Sequence, residues 1–425
     1  MKKRVVITGM GVVAPNAYGL DNFEQALKEG RSGIHFIPQL EELKFGCQIA
    51  GIPEDFETIR KSYFDREKLL SNNDNIGFAS VSAVDAWRDA GFIFSNSDDD
   101  LVDWDTGVIA GSGTGGIDTI AQVVHMVNEG RVRRLGSRCV EQVMNSGTSA
   151  RISGLIGAGN QVTSNSAACS TGNEAIIDAL WRIRMGLAKR MVAGGSEGAT
   201  PYIWAGFDAM RVLCRKFNDN PAAGSRPLSA TACGFVPGSG SAMLVLEELE
   251  TALARGARIY VEVIGGYVNC GGQRMGGSMT APNPEGVKRC IRGAVADAGI
   301  DPAEVDAING HLTATYADPH EVRNWAEALE RTPDNFPYIN STKSLIGHCL
   351  GAAGAIESVA SVLQIYKGFL HPSINCEDVH PDIEKFAQKI PQKYLEFPQL
   401  KIVAKAGFGF GDVNSCIIFK KWENN

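Results

Sequence analysis

No stretch of the 425-residue sequence reaches eighteen consecutive apolar residues, so none of its apolar runs is long enough to cross a bilayer as a helix. It contains no C-x-x-C pair either. Ten cysteines at irregular positions exclude a disulfide scaffold and a zinc site, and point to a reducing, cytoplasmic setting. An excess of positive charge is also missing: the net charge of −7 argues against wholesale nucleic-acid binding and leaves room only for a local basic patch. There is no disorder signature, since 44% hydrophobic and 21% charged residues describe an ordinary globular protein. Met1-Lys2-Lys3-Arg4 followed by an apolar stretch imitates a signal peptide. However, Val5–Val13 is short and carries two glycines and a threonine, which suits a buried first strand and its turn better.

What is present is α/β patterning. Apolar β-branched runs at 108–110, 191–193, 242–246 and 260–264 alternate with helical periodicity, and the same grammar resumes at 305–308 and 415–419. The length exceeds what one core usually organises. A charged, alanine-rich segment at 247–258 reads as a connecting helix ending at Gly256. The chain therefore divides into halves 1–256 and 257–425 of similar grammar, as an ancient duplication would, with no residue-level repeat.

Four segments carry chemistry. Cys169 stands where a β-rich run, 162–168, gives way to a helical pattern with apolar positions at Ala175, Ile176, Ala179, Leu180 and Ile183. A helix N-terminus favours thiolate, so its thiol is expected to be acidified. Asn309-Gly310-His311-Leu312-Thr313-Ala314-Thr315 follows a strand candidate, which puts His311 at a strand's carboxyl end, where α/β proteins commonly place their chemistry. Lys343-Ser344-Leu345-Ile346-Gly347-His348 leads into a small-residue helix carrying Glu357. Ala406-Gly407-Phe408-Gly409-Phe410-Gly411-Asp412 reads as a mobile glycine-rich loop. The other histidines, His35, His125, His320, His371 and His380, lack such a context and read as ordinary surface or core residues.

In this order and combination the four segments resemble the β-ketoacyl-acyl-carrier-protein synthases, condensing enzymes of the thiolase-like fold. The likeness runs from Arg4 to the last strand, and Ser225-Arg226-Pro227, Gly234-Phe235-Val236 and Gly194-Gly195-Ser196-Glu197 add to it. The resemblance implies a five-layered α-β-α-β-α fold with pseudo-twofold halves and a decarboxylative Claisen condensation in fatty-acid or polyketide synthesis. In that reading Cys169 takes the acyl chain, and the backbone N–H groups of Cys169 and Phe410 form an oxyanion hole. His311 and His348 donate to the malonyl thioester oxygen, while Lys343 with its ionic partner Glu357 sets the local field. Thr313 and Thr315 contact the pantetheine arm or substrate, Phe410 gates the acyl site, and Thr114 lines the acyl pocket. No metal or redox cofactor is implied, because the substrates ride on the phosphopantetheine of an acyl carrier protein. The implied assembly is a homodimer, or a heterodimer with a ketosynthase-like subunit.

The sequence also departs from the family pattern. Leu228–Cys233 lack its usual charged pair, so charged structural partners are expected to be lost there. Leu312 and Ala314 replace a glycine and a small polar residue, and Asp412-Val413 replace Gly-Thr in the gate. Its basic carrier-docking element reads here as Ser71-Asn72-Asn73-Asp74, leaving Arg131, Arg133, Arg134 and Arg138, or Arg211, Arg215 and Lys216, to dock the carrier. These changes point to a specialised branch such as pigment, aryl-polyene or type II polyketide synthesis. Gly111–Gly116 also satisfies the dinucleotide-binding G-x-G-x-x-G, but no convincing ribose-binding acid follows it. Two rival classes stand beside the condensing enzyme: a chain-length-factor-like partner without catalysis, and a thiolase acting on coenzyme A esters.

Overall fold

The computed structural model describes residues 2–65, 69, 73–93 and 101–423. Its first half runs β1 (Val5–Ala14), α1 (Asp74–Asp89), β2 (Thr106–Gly111), α2 (Gly147–Ile156), β3 (Val162–Thr163), α3 (Thr171–Arg184), β4 (Arg190–Glu197) and β5 (Gly240–Glu248). Its second half runs β6 (Val261–Cys270), α4 (Pro284–Ala298), β7 (Ala307–Asn309), α5 (Asp318–Ala328), β8 (Tyr338–Asn340), α6 (Ala353–Lys367), β9 (Ile402–Gly409) and β10 (Val413–Lys421). These core elements follow one another in the same succession in both halves, and the first half carries further helices between them, among them Leu20–Glu29, Ile117–Asn128 and Pro201–Ala209.

The two strand orders also match. The first half pairs as β3-β2-β4-β5-β1 and the second as β8-β7-β9-β10-β6, with the parallel and antiparallel pairs in matching places. The halves meet where β1 and β6 pair antiparallel through Val6, Ile7, Val261 and Glu262. Beyond that seam the sheets diverge around α3 and α6, each of which packs on strands of both halves and on the other. α1 and α2 cover the outer face of one sheet; on the other, α4 packs on the strands, and α5 packs beside α4 with Val322, Trp325 and Ala328 in the same apolar cluster as Ile308, Ile339 and Ile402. This is the five-layered arrangement.

Composition explains the layering. From Ala353 to Ile365 every residue of α6 is buried, which its run of Ala, Gly, Ser, Val and Ile allows. The close approach of α3 and α6 depends on two glycines. A Cβ added at Gly172 would lie 2.5 Å from Ala355 N, and one at Gly354 would lie 2.7 Å from Asn173 N.

Some local expectations need correction. Only Val162 and Thr163 of the run before Cys169 form a strand, and the connecting helix is the short Leu249–Ala254, because β5 continues to Glu248. The glycine-rich segment is no open loop: Ala406–Gly409 complete β9, and a tight turn pairs Gly409 with Val413. Arg226 keeps charged partners, Glu377 at 2.5 Å and Asp378 at 3.2 Å, supplied from far along the chain in place of the missing local pair. Ser71 and Asn72 lie outside the described residues, whereas Asn73 caps α1 by accepting from Ile76 N.

Candidate active site

Both central helices begin with a strained turn. Cys169 lies in the single 3-10 turn Ala168–Ser170 that opens α3, entered with Ala168 at φ +48°. Leu350–Ala352 opens α6 in the same way, with Leu350 at φ +47°. The Thr171 hydroxyl donates to Ala168 O at 2.7 Å and accepts from Ala167 N at 2.9 Å, which holds the Cys169 elbow. Because α3 and α6 pack side by side, their N-termini converge. His348 therefore reaches Cys169 across 179 positions of sequence, with Nε2 3.0 Å from Sγ.

The tautomer of His348 follows from its partners. Leu350 N–H donates to Nδ1 at 3.1 Å, so in the neutral ring the proton sits on Nε2 and faces the sulfur. The backbone of His348 is fixed on the other side, its N–H donating to Val236 O at 2.7 Å and its carbonyl accepting from Gly238 N at 2.9 Å.

His311 comes from the second sheet, two residues beyond β7. Its segment bends through Leu312 at φ +23° and Ala314 at φ +62°, a backbone that side chains resist. Two buried carboxylates on α5 clasp it. Glu321 accepts from His311 N at 2.7 Å and Leu312 N at 2.8 Å, and Asp318 accepts from Thr313 N at 2.8 Å and Ala314 N at 3.1 Å. Burial pushes these carboxyls up, Glu321 to about 7 and Asp318 to about 6. The His311 and His348 rings meet edge to face, 5.4 Å between centroids.

Behind the imidazoles is a dry charge cluster. Glu357 contacts Lys343 at 2.5 Å and Lys405 at 2.7 Å, and all three side chains are at most 1% exposed. Burial first, then the Lys343 and Lys405 charges, drive both imidazoles well below the ordinary histidine range, so each is a neutral N–H donor at pH 7. Lys343 makes its polar contact with Glu357 and acts on His348 through space.

Cys169 does not show the expected acidity. Burial pushes its thiol up to about 11, outweighing the opposing Lys343 charge and Phe410 N–H. A helix terminus and one ammonium do not offset removal of the sulfur from water.

A chamber of about 340 Å³ joins Cys169, His311, His348, Thr313, Thr315 and Phe410. Phe207 packs on Phe410 at 5.9 Å between ring centroids. Thr313 and Thr315 hydroxyls stand 3.1 Å apart. Thr114 is not in this wall: its hydroxyl donates to the buried Glu197 at 2.7 Å. The same carboxylate accepts from Ser112 Oγ, Gly113 N and Gly351 N, so it ties the 112–114 loop to the head of α6. His320, expected to be ordinary, lines the chamber mouth. His371 is a core residue, bonded to Thr342 Oγ1 and Pro372 O.

Glu321, Asp318, Lys405 and Glu197 are the site residues missed at the level of sequence. Only Glu197 stood in a recognised segment. The ligating atoms of Cys169, His311 and His348 lie within 4.8 Å of one another, close enough to hold a soft cation. The buried ammonium groups of Lys343 and Lys405 oppose a cation there and favour developing negative charge.

Residues 2–252 match the family description "Beta-ketoacyl synthase, N-terminal domain", and residues 260–377 match "Beta-ketoacyl synthase, C-terminal domain". The chain belongs to the β-ketoacyl synthase family. Its similarity to curated members extends over nearly the whole length. It is 35% identical to the putative mitochondrial 3-oxoacyl-[acyl-carrier-protein] synthase of Schizosaccharomyces pombe, covering 99% of each chain. With 3-oxoacyl-[acyl-carrier-protein] synthase 2 of Coxiella burnetii the identity is 36%, again over 99% of each. Among solved structures, a β-ketoacyl synthase from Burkholderia phymatum superposes with a TM-score of 0.90 at 31% identity, over 99% of this chain and 100% of that one. The structure titled "The ishigamide ketosynthase/chain length factor" superposes with 0.88 at 29% identity, over 100% of both. This β-ketoacyl synthase thus has the thiolase-like fold its motifs implied. Among the described residues, no helix is long and apolar enough to cross a membrane.

Proposed function

We propose that the protein is a β-ketoacyl-acyl-carrier-protein synthase that performs a decarboxylative Claisen condensation with Cys169 as nucleophile. The Cys169 sulfur attacks the carbonyl of an acyl thioester on the carrier phosphopantetheine. A new C–S bond forms, the old one breaks, and the carrier leaves as its free thiol with the cysteine proton. Malonyl-carrier protein then enters. Its carboxylate C–C bond breaks, carbon dioxide departs, and the electron pair forms an enolate whose oxygen accepts from the Nε2–H of His348 and from His311. The enolate carbon attacks the acyl-Cys169 carbonyl, whose oxyanion is received by the N–H groups of Cys169 and Phe410; as the oxyanion collapses the acyl C–S bond breaks, the Cys169 sulfur leaves as a thiolate that takes a proton from water, and the β-ketoacyl-carrier protein departs. No step calls for a redox cofactor or a metal. The convergence of the Cys169 sulfur with two imidazoles held neutral beside two buried ammonium groups carries this reading.

Lys343 and Lys405 supply the field and Glu357 holds them, Thr313 and Thr315 contact the pantetheine arm, and Phe410 gates the acyl side. Thr114 acts on the acyl pocket through the Glu197 tie. The halves 1–256 and 257–425 are each one copy of a duplicated unit, a division supported by the repeated strand order. The partners are an acyl carrier protein, docked by the exposed Arg131, Arg133 and Arg134 with the half-buried Arg138 or by Arg211, Arg215 and Lys216, and a second ketosynthase-like subunit. One structural neighbour is titled as a type II polyketide acyl-carrier protein in complex with its ketosynthase, which supports both the carrier and a specialised branch. The many unpaired cysteines support a reducing, cytoplasmic setting.

A thiolase is disfavoured: where it would carry a second reactive cysteine the loop offers Phe410, and Cys416 is buried on β10 with its thiol pushed up to about 12. A silent chain-length subunit is disfavoured by Cys169 itself. The test is carbon dioxide release from malonyl-carrier protein together with intact mass of the carrier products. Cys169→Ala abolishes condensation, and Cys169→Gln, which imitates an acylated cysteine, leaves decarboxylation detectable. Normal elongation by Cys169→Ala, or acetyl transfer without decarboxylation, defeats the proposal.

A further inference from the structure

We propose that Cys214 and Cys233 form a second reactive thiol site, separate from Cys169, which a peroxide converts to a disulfide on the wall of the chamber. Their sulfurs lie 3.1 Å apart, about 1 Å more than a covalent S–S bond. The pair is held by backbone pairing. Leu213 and Phe235 form a parallel bridge, with Phe235 N donating to Val212 O at 3.0 Å and Cys214 N donating to Phe235 O at 2.9 Å. Closing the bond therefore needs side-chain rotation and no separation of the two segments.

The two thiols are not equivalent. Cys214 is fully buried, whereas Cys233 is partly exposed and accessible to a small oxidant. The Cys214 S–H, the backbone N–H groups of Lys216 and Arg215 and the Lys216 ammonium surround the Cys233 sulfur and hold its thiol below the ordinary range; Cys214 is pushed up by its neighbour and by burial. Such a partition makes Cys233 the attacking sulfur and Cys214 the resolving one. The Cys233 thiolate attacks a peroxide oxygen: an S–O bond forms, the O–O bond breaks, and hydroxide leaves to become water as sulfur is oxidised to the sulfenic acid. The Cys214 sulfur then attacks, the S–S bond forms, the S–O bond breaks, and hydroxide leaves with the Cys214 proton as a second water. Two thiols and one hydrogen peroxide give one disulfide and two waters.

The location gives the modification a consequence. Val212 and Phe235 both line the chamber, and the Phe235 ring meets His348 at 5.2 Å. The bond would pin these two walls to each other.

The test is hydrogen peroxide titration of the full chain, followed by alkylation, proteolysis and mass spectrometry. The expected product joins the Cys214 and Cys233 peptides, about 2 Da lighter than the two reduced peptides together, and reverts with dithiothreitol. Cys214→Ser should abolish the linkage and leave a sulfenic acid on Cys233 that dimedone traps. Cys233→Ser should abolish the linkage and leave Cys214 unoxidised; the alanine variants repeat both arms if serine impairs folding. The proposal is overturned if Cys214 stays alkylatable after Cys233 has been oxidised, if Cys233 pairs with Cys47 instead, or if the exposed Cys270 is consumed while the pair stays reduced.

Discussion

Two neutral imidazoles reach the same chamber by different means, and their difference is testable. His348 touches the Cys169 sulfur, whereas His311 is held within 4.8 Å of both without a bond to either. His311→Ala should therefore lower malonyl-carrier decarboxylation by about 10²–10³-fold, the usual loss for one oxyanion donor, while acyl-Cys169 still accumulates by intact mass. Loss of acylation and decarboxylation to the same extent would contradict that division. Glu321 makes a second prediction. Burial raises its carboxyl to about 7 from the 4.5 of an unburied glutamate, so between these values the native state binds more protons than the unfolded chain. Its contribution to stability is then greatest below pH ~4.5 and falls as pH rises through 7. Relative to Glu321→Gln, the wild type should lose about 2.5 kcal/mol between pH 5 and 8 in denaturant titrations. Parallel profiles would show that Glu321 does not titrate in this window. At this scale Cys169, His311 and His348 were legible because each sits in a motif at an element's end. Lys405 and Glu321 were not, since their roles arise from contacts with Glu357, 48 positions away, and with His311 and Leu312, 10 and 9 positions away. The acidity of Cys169 was misjudged for the same reason: a helix start is local, but burial is not.

Among the elements, the β9–β10 turn carries Asp412-Val413, one of the departures from the family pattern. Asp412 holds φ +63° and is fully buried, its carboxylate accepting from Asn283 N at 2.8 Å and Gln273 N at 2.9 Å. Gly411 N–H donates to Met279 O at 2.7 Å. The turn that carries Phe410 is thereby tied to the 271–283 segment, whose Met275, Thr280 and Pro282 line the chamber. Asp412→Gly suits the same backbone without strain and removes the tie. Hydrogen exchange in 271–283 should rise while exchange in α3 and α6 stays unchanged; equal protection in both proteins would refute the tie. The sequence pattern suggested freedom here, because glycine content reports what a backbone can do and not what its neighbours hold. Regular elements were easier. β1, β2, β4, β5, β6, β7 and β10 are visible as apolar β-branched runs, whereas three-residue β8 and the long β9 are not, one too short and the other masked by Lys405 and its glycines.

On the scale of the whole molecule, the repeated strand order brings the site together, because the same topology occurring twice places two helix starts side by side. It also leaves two sheet edges, and they are unequal. Ile339 and Asn340 of β8 are buried, whereas β3 at the opposite edge pairs only with β2 and exposes Val162. Beside it Leu101, Val102 and Trp104 are exposed, Trp104 at 72%, and Val102 and Trp104 crowd the Gly159 turn that leads into β3. An edge strand beside an apolar patch is unfavourable as a free surface, since its open side offers ladder hydrogen bonds and the patch offers buried area to another chain. A ketosynthase-like subunit supplying the same edge in antiparallel register would satisfy both by twofold symmetry. Light scattering should therefore return twice the 45.5 kDa chain mass for the protein alone. Trp104→Asp combined with Val162→Lys should return a single chain mass with its helical circular dichroism retained. A monomeric wild type would leave this edge to a different, catalytically silent partner, and a variant that stays dimeric would place the interface elsewhere on the molecule.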